Sequence, residues 1–218
     1  GTITVKSSDD GLNAKDWTLE SSEGQGPGQQ TKTVKAEAAN VKNLDQAGEV
    51  KIVIDGGTLT VDAEGDGLDA NGSIEINGGT VVVNGPTSGA NAALDYDDNG
   101  KLNGGTVLFL DNGEMTMGFG SDSSQAFLMA SVQGTAGTTV EVVDSSGKTV
   151  ASLKASKAFS TVLISSPEIK EGEKYTIKVG SNSTTATASK QTTNTGGRPG
   201  QGGPGGGQPG QGGRPGGR

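Results

Sequence analysis

The sequence predicts an all-β protein built on a right-handed, single-stranded parallel β-helix. A Gly-Gly-Thr motif begins at Gly56, Gly78 and Gly104, so its copies are separated by 22 and 26 residues. Apolar and polar residues alternate after each motif, as in a strand with one buried face. A repeat of about 20 to 26 residues that contains two or three such strands is typical of stacked β-helix turns.

The apolar residues after each motif are expected to face the interior of the helix. They are Ile3 and Val5, Leu59 and Val61, Val81 and Val83, and Val107 and Phe109. A second short strand, ending at Ile54 or Ile76, precedes the glycine pairs. Gly1 and Thr2 match the end of a further motif, so we expect an additional segment before residue 1.

A polar residue directly precedes each glycine pair, namely Asp55, Asn77 and Asn103. We expect these three side chains to stack through hydrogen bonds at one corner of the helix. The glycines that follow would provide the positive φ that such a corner needs. The predicted role of this column is therefore structural.

A third element of each turn carries most of the acidic residues. Three blocks align on Leu12, Leu68 and Leu94, which would form another inward column. The polar residues beside them form two columns, Asn13 with Asp69 and Asp95, and Asp10 with Asp66. In the third block Ala92 stands where the first two blocks have an acid.

The organisation along the chain follows from changes in these patterns. We predict the β-helix over 1–124, with a long loop inserted at about 17–48 that contains one or two helical turns near 35–46. A small antiparallel β cap is expected over 125–190, because the open end of a solenoid exposes strand edges. Residues 191–218 are rich in Gly, Pro, Gln and Arg, cannot form a core, and are predicted to be a disordered tail.

Composition excludes several functional classes. The chain has 218 residues, a net charge of -8, and neither Cys nor His. The acidic balance argues against nucleic acid as a partner, because phosphates need a basic surface. No apolar run approaches the roughly 20 residues of a membrane span. The low hydrophobic content of 30% is compatible with a solenoid, whose core is thin.

Several of these blocks resemble one bacterial family, usually described as carbohydrate-binding domain-containing proteins. The matching segments are Ser-Asp-Asp-Gly-Leu-Asn-Ala at 8–14, Gly-Asp-Gly-Leu-Asp-Ala-Asn-Gly at 65–72, Asn-Gly-Pro-Thr-Ser-Gly at 84–89, Ala-Leu-Asp-Tyr-Asp at 93–97 and Ser-Ser-Pro-Glu at 165–168. The structurally known type of that family is a secreted, calcium-binding β-helix that binds cellulose and acidic pectic sugars.

The resemblance covers nearly the whole chain outside the loop and the tail. It implies a pectate-lyase-like solenoid without the catalytic residues of the lyases. It further implies bound Ca²⁺, binding of a polysaccharide, and an extracellular or cell-surface location in bacteria. Ala92 departs from the acidic pattern, which argues against a calcium site at every turn.

The acidic columns also predict a cation site on chemical grounds. Asp69 stacked on Asp95 would place two carboxylates about 4.8 Å apart, where like charges repel unless a proton or a cation intervenes. Ca²⁺ prefers such oxygen ligands, whereas Mg²⁺ requires a more regular site. The candidate metal ligands are Asp9, Asp10, Asn13, Asp66, Asp69, Asp95 and Asp97. The alternative is a set of solvated turn acids, since Asp-Gly is also ordinary turn chemistry.

The candidate carbohydrate-binding residues are Trp17, Tyr96 and Asp98. Sugar rings often lie on exposed aromatic faces, which combine apolar area with a polar edge. Trp17 begins the long loop, and Tyr96 adjoins the acidic column. The alternative is that both aromatic side chains pack at the bases of loops.

The sequence favours a non-catalytic function. A polyuronate lyase needs a strong base beside the sugar, and nothing distinguishes Lys15, Lys51 or Lys101 as such a base. Pairs of carboxylates suited to a glycosidase are too common here to be informative. We therefore predict calcium-dependent binding of acidic polysaccharide, polygalacturonate or possibly cellulose. The alternatives are a structural surface or adhesin solenoid without a defined glycan and, less favoured, a polysaccharide lyase.

Overall fold

The computed structural model of the protein describes residues 1–15, 41–43 and 50–191. This part of the chain is all-β, as predicted for the fold class. It contains no helix long and apolar enough to span a membrane. The strands are β1 (Thr2–Ser7), β2 (Leu12–Ala14), β3 (Val41–Asn43), β4 (Lys51–Ile54), β5 (Thr58–Ala63), β6 (Leu68–Ala70), β7 (Ser73–Ile76), β8 (Thr80–Asn84), β9 (Leu94–Tyr96), β10 (Asn99–Leu102), β11 (Thr106–Asp111), β12 (Leu128–Gly134), β13 (Thr139–Val143), β14 (Thr149–Lys154), β15 (Phe159–Ser165), β16 (Lys174–Val179) and β17 (Asn182–Thr187).

The strands of the N-terminal half recur in a fixed order. The first repeat contains β1, β2 and β4, the second β5, β6 and β7, and the third β8, β9 and β10, while β11 begins a fourth. Strands at equivalent positions pair in parallel, in the orders β1-β5-β8-β11, β2-β6-β9 and β4-β7-β10. The register aligns Ile3, Leu59, Val81 and Val107 in one column, which confirms the predicted alignment of the repeats.

The predicted loop meets the described chain at one strand. Strand β3 pairs antiparallel with β4 at the edge of its sheet. The prediction of helical turns near 35–46 is wrong over the described residues 41–43, where pairing with β4 selects an extended backbone. Trp17, the other residues of the loop from 17 to 40 and 44 to 48, and the tail from 192 to 218 lie outside the described residues.

The main core lies among the three parallel stacks. Alternate residues of the strands point inward, and Val61, Leu68 and Ile74 have no exposed surface. Three aromatic rings extend this core beyond the third repeat. Phe119 packs edge-to-face between Phe109 and Phe127, with ring centroids 5.8 and 5.7 Å apart, an arrangement that adds to the burial energy of each ring.

The segment 125–190 covers the parallel strands in two ways. Strand β15 pairs antiparallel with β11 and with β12, so it ends the parallel stack. A separate antiparallel sheet of order β14-β13-β16-β17 forms a second core against the other face of β11. Leu108, Leu110, Val162 and Ile164 enter that core. A turn over Asp144–Gly147 connects β13 to β14, with φ of 89° at Gly147.

The predicted polar corner is present. Asn77 donates through Nδ2 to Asp55 Oδ1 over 2.9 Å, and Asn103 Nδ2 donates to Asn77 Oδ1 over 2.9 Å. Gly57, Gly79 and Gly105 follow these residues at φ of 83°, 87° and 95°. This confirms the structural role expected for the column, since each amide is both donor and acceptor along the stack.

Candidate functional site

The acidic column lies on the outer face of the β2-β6-β9 sheet. The register pairs Asn13 with Asp69 and Asp69 with Asp95. The adjacent leucines of the same strands alternate inward, and Leu68 and Leu94 are almost completely buried. Because successive side chains of a strand point to opposite faces, burial of the leucines directs the polar column outward. The structure therefore brings these three predicted ligands together.

Asp10 and Asp66 have a role that the sequence did not reveal. The Asp10 Oδ1 atom accepts a hydrogen bond of 2.9 Å from the Asp66 N–H, and Asp66 Oδ1 accepts one of 2.6 Å from the Ala92 N–H. Each carboxylate thus binds the backbone of the next repeat. Hydrogen bonds from backbone amides to an ionised group are stronger than neutral ones, so these two acids stabilise the stacking of the turns.

Asn13 connects the two polar columns. Its Nδ2 atom donates to Asp10 Oδ2 over 3.0 Å and to Asp69 Oδ2 over 2.5 Å. Both protons of one neutral amide are therefore used between two carboxylates. This contact lowers the repulsion between Asp10 and Asp69 without supplying a positive charge.

Asp69 is an acid of this site whose ionisation is opposed both by burial and by the charges of its neighbours. Partial burial and the carboxylates of Asp10, Asp66, Asp95 and Asp97 together raise the pKa of Asp69 from 3.8 to about 7. Burial is the largest cause, because it removes water from the charged form. Near neutral pH the group is thus divided between its protonated and ionised states. A cation bound at this position would favour the ionised state.

The remaining acids lie at the two ends of these short strands. Asp9 is exposed in the turn before β2, and its carbonyl accepts from the Gly65 N–H over 3.2 Å. Asp97 and Asp98 are exposed in the turn after β9. Three residues of strand span about 10 Å. Asp9 therefore lies at the opposite end of the column from Asp97 and Asp98, so the predicted ligands Asp9 and Asp97 do not share one point.

The geometry does not by itself define a complete metal centre. In residues 1–15, 41–43 and 50–191, no group of three or more His, Cys, Asp or Glu side chains is arranged to hold a metal ion. The acids around Asp69 are close enough to alter its pKa, but their oxygens do not converge. Calcium accepts six to eight oxygen ligands in flexible geometry. Asp69 and Asp95 with backbone carbonyls, water or a ligand carboxylate are therefore the donors that fit it best.

Tyr96 is held within the fold. Its ring packs on Gly100, where a side chain would overlap the ring, and its hydroxyl donates to the Gly118 carbonyl over 2.6 Å. Burial, and secondarily Asp122 and Asp95, raise the pKa of Tyr96 to about 12. Since the ring is half-buried and its polar edge is engaged, Tyr96 offers less contact area than the exposed aromatic surface envisaged from the sequence.

A contact between the two halves of the chain was also not apparent in the sequence. Lys157 Nζ lies 3.1 Å from Asp62 Oδ1 and 3.0 Å from Glu64 Oε1, and it donates to the Ala63 carbonyl over 2.6 Å. Lys157 and Ala63 are 94 positions apart in the sequence. In the sequence, the only sign of this contact is a lysine in a short turn before β15. Lysines in turns are too common to predict such a contact.

A shallow groove of about 410 Å³ lies beside β12 and β15, and none of its lining residues belongs to the acidic column. It is lined by Asn112, Gly113, Ser131, Val132, Gln133, Ser160 and Thr161. This lining contains no ionisable or aromatic side chain. It therefore lacks both the acid-base groups of a catalytic site and the rings of a sugar platform.

Comparison with known proteins gives no match. No family model matches the chain, and no curated protein or solved structure matches it significantly.

Proposed function

We propose that this chain is a non-catalytic module that binds acidic polysaccharide with the help of Ca²⁺ at the bacterial cell surface. The observation that carries the proposal is the charge around Asp69, whose pKa is raised to about 7 by burial and four neighbouring carboxylates. A divalent cation is the ligand that most directly relieves such repulsion. The family resemblance of the acidic blocks points to the same chemistry.

The proposed architecture is a right-handed parallel β-helix. Its support is the in-register parallel pairing of β1-β5-β8-β11, β2-β6-β9 and β4-β7-β10. Each strand pairs with the equivalent strand of the next repeat, so the intervening residues form one turn. Right-handedness is the strongly preferred hand for connections between parallel strands.

In the proposed mechanism, calcium is shared between protein and sugar. Asp69 and Asp95 would supply carboxylate ligands on the exposed face, and a uronate carboxylate would occupy a remaining position. Asp10 and Asp66 would act mainly through their charge, because each already has a carboxylate oxygen bound to a backbone amide. The polysaccharide would then be recognised by its acidic groups rather than by an aromatic platform.

Lyase activity is less favoured, because Lys101, one of the lysines considered as a base, is held in an ion pair. Lys101 Nζ lies 2.9 Å from Asp122 Oδ2. The hydrogen bond and charge of Asp122 raise the pKa of Lys101. A lysine that acts as a base needs the opposite shift, towards the working pH.

A purely structural surface solenoid is the second candidate. It is favoured by the hydrogen bonds that use Asp10, Asp66 and the Tyr96 hydroxyl within the fold. In that case the acidic face would keep the protein soluble and repel like-charged surfaces. Glycan binding separates the two candidates.

The test is isothermal titration of galacturonate oligomers into the protein, with Ca²⁺ and again with excess chelator. We expect binding only with Ca²⁺, and a loss of at least about tenfold in affinity, or about 1.4 kcal/mol, for Asp69→Asn combined with Asp95→Asn. Glu173→Gln, an exposed acid of the cap segment, is the control and should bind like the wild type. Binding that survives the chelator would contradict calcium bridging, and no binding in either condition would favour the structural candidate.

A further inference from the structure

Asn-Gly pairs recur at the corners and turns of this chain. They are Asn71-Gly72, Asn77-Gly78, Asn84-Gly85, Asn99-Gly100, Asn103-Gly104 and Asn112-Gly113. An asparagine followed by glycine is prone to deamidation, because the unhindered glycine nitrogen can reach the side-chain carbonyl. The same sequence signal is present six times, so only the surroundings of each pair can distinguish them.

Four of these asparagines are held at both ends of the amide. Asn77 donates to Asp55 and accepts from Asn103, and Asn103 in turn accepts from the Ser124 hydroxyl over 3.2 Å. Asn84 is 1% exposed; its Nδ2 donates to the Val61 carbonyl and its Oδ1 accepts from the Ser156 N–H.

The fourth, Asn112, donates to the Gly89 carbonyl over 2.8 Å and accepts from the Glu114 N–H over 2.9 Å. Asn99 is held at one end, by a bond of 3.0 Å to Asp122, and its backbone belongs to β10. Rotation of these amides towards the next backbone nitrogen would break the contacts that hold them.

Asn71 combines features that none of the other five shows together. It is exposed, it lies in the turn between β6 and β7, and its one side-chain hydrogen bond to a described residue is a long one of 3.3 Å to Asp97 Oδ2. The carbonyl of Gly72 accepts from the Asp98 N–H, whereas the Gly72 N–H donates to no described backbone carbonyl. Gly72 is buried, and the backbone beside it is held by the bonds from the Asn71 N–H to Ala14 and from the Ser73 N–H to Val50. The side-chain carbonyl of Asn71, by contrast, accepts no hydrogen bond from a described residue.

We propose that Asn71 is a modification site, at which spontaneous deamidation introduces a new carboxylate into the acidic face. The deprotonated nitrogen of Gly72 attacks Cγ of Asn71, the bond from Cγ to the amide nitrogen breaks, and ammonia leaves. Water then opens the cyclic imide at either carbonyl, giving aspartate or isoaspartate. No oxidant or further reagent is required.

The product changes the charge beside Asp97. A neutral amide that now donates to Asp97 becomes an anion facing it, which converts an attraction into a repulsion. A second consequence rests on the proposed function. If the acidic face binds Ca²⁺, the aged protein should show a larger calcium-induced increase in melting temperature than fresh protein. The deamidation itself is independent of that function.

The experiment incubates the native chain and a urea-unfolded sample at pH 8 and follows each Asn-Gly pair by peptide mass spectrometry. We expect Asn71 to react within a few-fold of its unfolded rate. Asn77, Asn84, Asn103 and Asn112 should be slowed by at least about tenfold, because they react only after local opening. These four pairs serve as controls within the same molecule.

Two results would overturn the proposal. One is an Asn71 that stays unmodified in the native chain while it reacts in urea. The other is a reaction at Asn77 or Asn103 as fast as at Asn71. The variant Asn71→Ser should abolish the fastest-forming product while leaving the melting temperature of fresh protein nearly unchanged. A product that persists in that variant would place the modification elsewhere. A loss of calcium binding without any change in these rates would contradict only the proposed function.

Discussion

At the scale of single residues, the column shows how similar acids acquire different roles. Asp10 and Asp66 are each stabilised by a backbone N–H of the following repeat. Asp69 receives one amide proton from Asn13, but burial and four carboxylates oppose its ionisation. Its neighbours in sequence and in register therefore make Asp69 an acid of the column whose ionisation is strongly opposed.

This difference predicts a pH dependence of stability in the absence of metal. The pKa of Asp69 is about 7 in the folded chain, against an ordinary value of 3.8, so between these two pH values the folded state binds more protons than the unfolded state. The contribution of Asp69 to stability should therefore be most favourable below about pH 4, decline as the pH rises to 7, and change little above it. Melting temperatures measured in chelator from pH 4 to 8 test this.

The variant Asp69→Asn should flatten that profile and melt higher than the wild type at pH 8, because a neutral amide carries no charge to repel. Glu173→Gln removes the same charge from an exposed position of the cap segment and should leave the profile intact. A decline in stability that persists unchanged in Asp69→Asn would assign it to other groups.

At the scale of elements, close stacking of the turns depends on particular glycines. A β-carbon at Gly67 would overlap the carbonyl oxygen of Ala93 and the side chain of Val83, both in the next repeat. At Gly56, by contrast, an added β-carbon meets nothing within 4 Å. Both glycines occur in conspicuous motifs of the sequence, but only one is required by contact between successive repeats.

These two positions provide a matched pair of substitutions. We expect Gly67→Ala to destabilise the fold by about 3 kcal/mol, the upper end of typical overpacking, since backbone atoms must move. Gly56→Ala should change stability by less than about 0.5 kcal/mol. Urea unfolding followed by circular dichroism measures both variants. Equal destabilisation of the two would contradict the stacking geometry.

At the scale of the whole molecule, the two halves are joined by shared strands and by polar contacts, among them those of Lys157 and Ser156. Strands β15 and β12 extend the sheet that contains β11, and Leu108 and Leu110 of β11 enter the second core. Beyond these, Lys157 binds Asp62, Glu64 and the Ala63 carbonyl of β5 and the turn after it. The lysine side chain is only 14% exposed.

Removal of that contact should weaken the molecule as a unit. Lys157→Met keeps the length of the side chain but leaves the Ala63 carbonyl and Asp62 without this donor, which should lower the free energy of unfolding by about 1 to 3 kcal/mol. Lys154→Met, at an exposed position of β14, is the control. Calorimetry that gives the same transition for both variants would show that the contact contributes nothing.

The sequence alone determined the strands, their register and the polar corner. Period-two alternation, the Gly-Gly-Thr motif and the residues Asp55, Asn77 and Asn103 are local signals, because they depend on side-chain direction and glycine backbone freedom. The all-β class and the alignment of Asp69 with Asp95 followed from them. The family resemblance added the expectation of calcium and polysaccharide, which remains a proposal.

Only the tertiary structure decided which polar groups are already engaged. Backbone bonding of Asp10 and Asp66, the buried edge of Tyr96 and the docking of Lys157 on Asp62 all join residues that are far apart in the chain. The pKa of Asp69 has the same origin, because it depends on carboxylates from several repeats at once. Local patterns specify the direction of a side chain, whereas its partners and its dielectric environment exist only after the repeats have stacked.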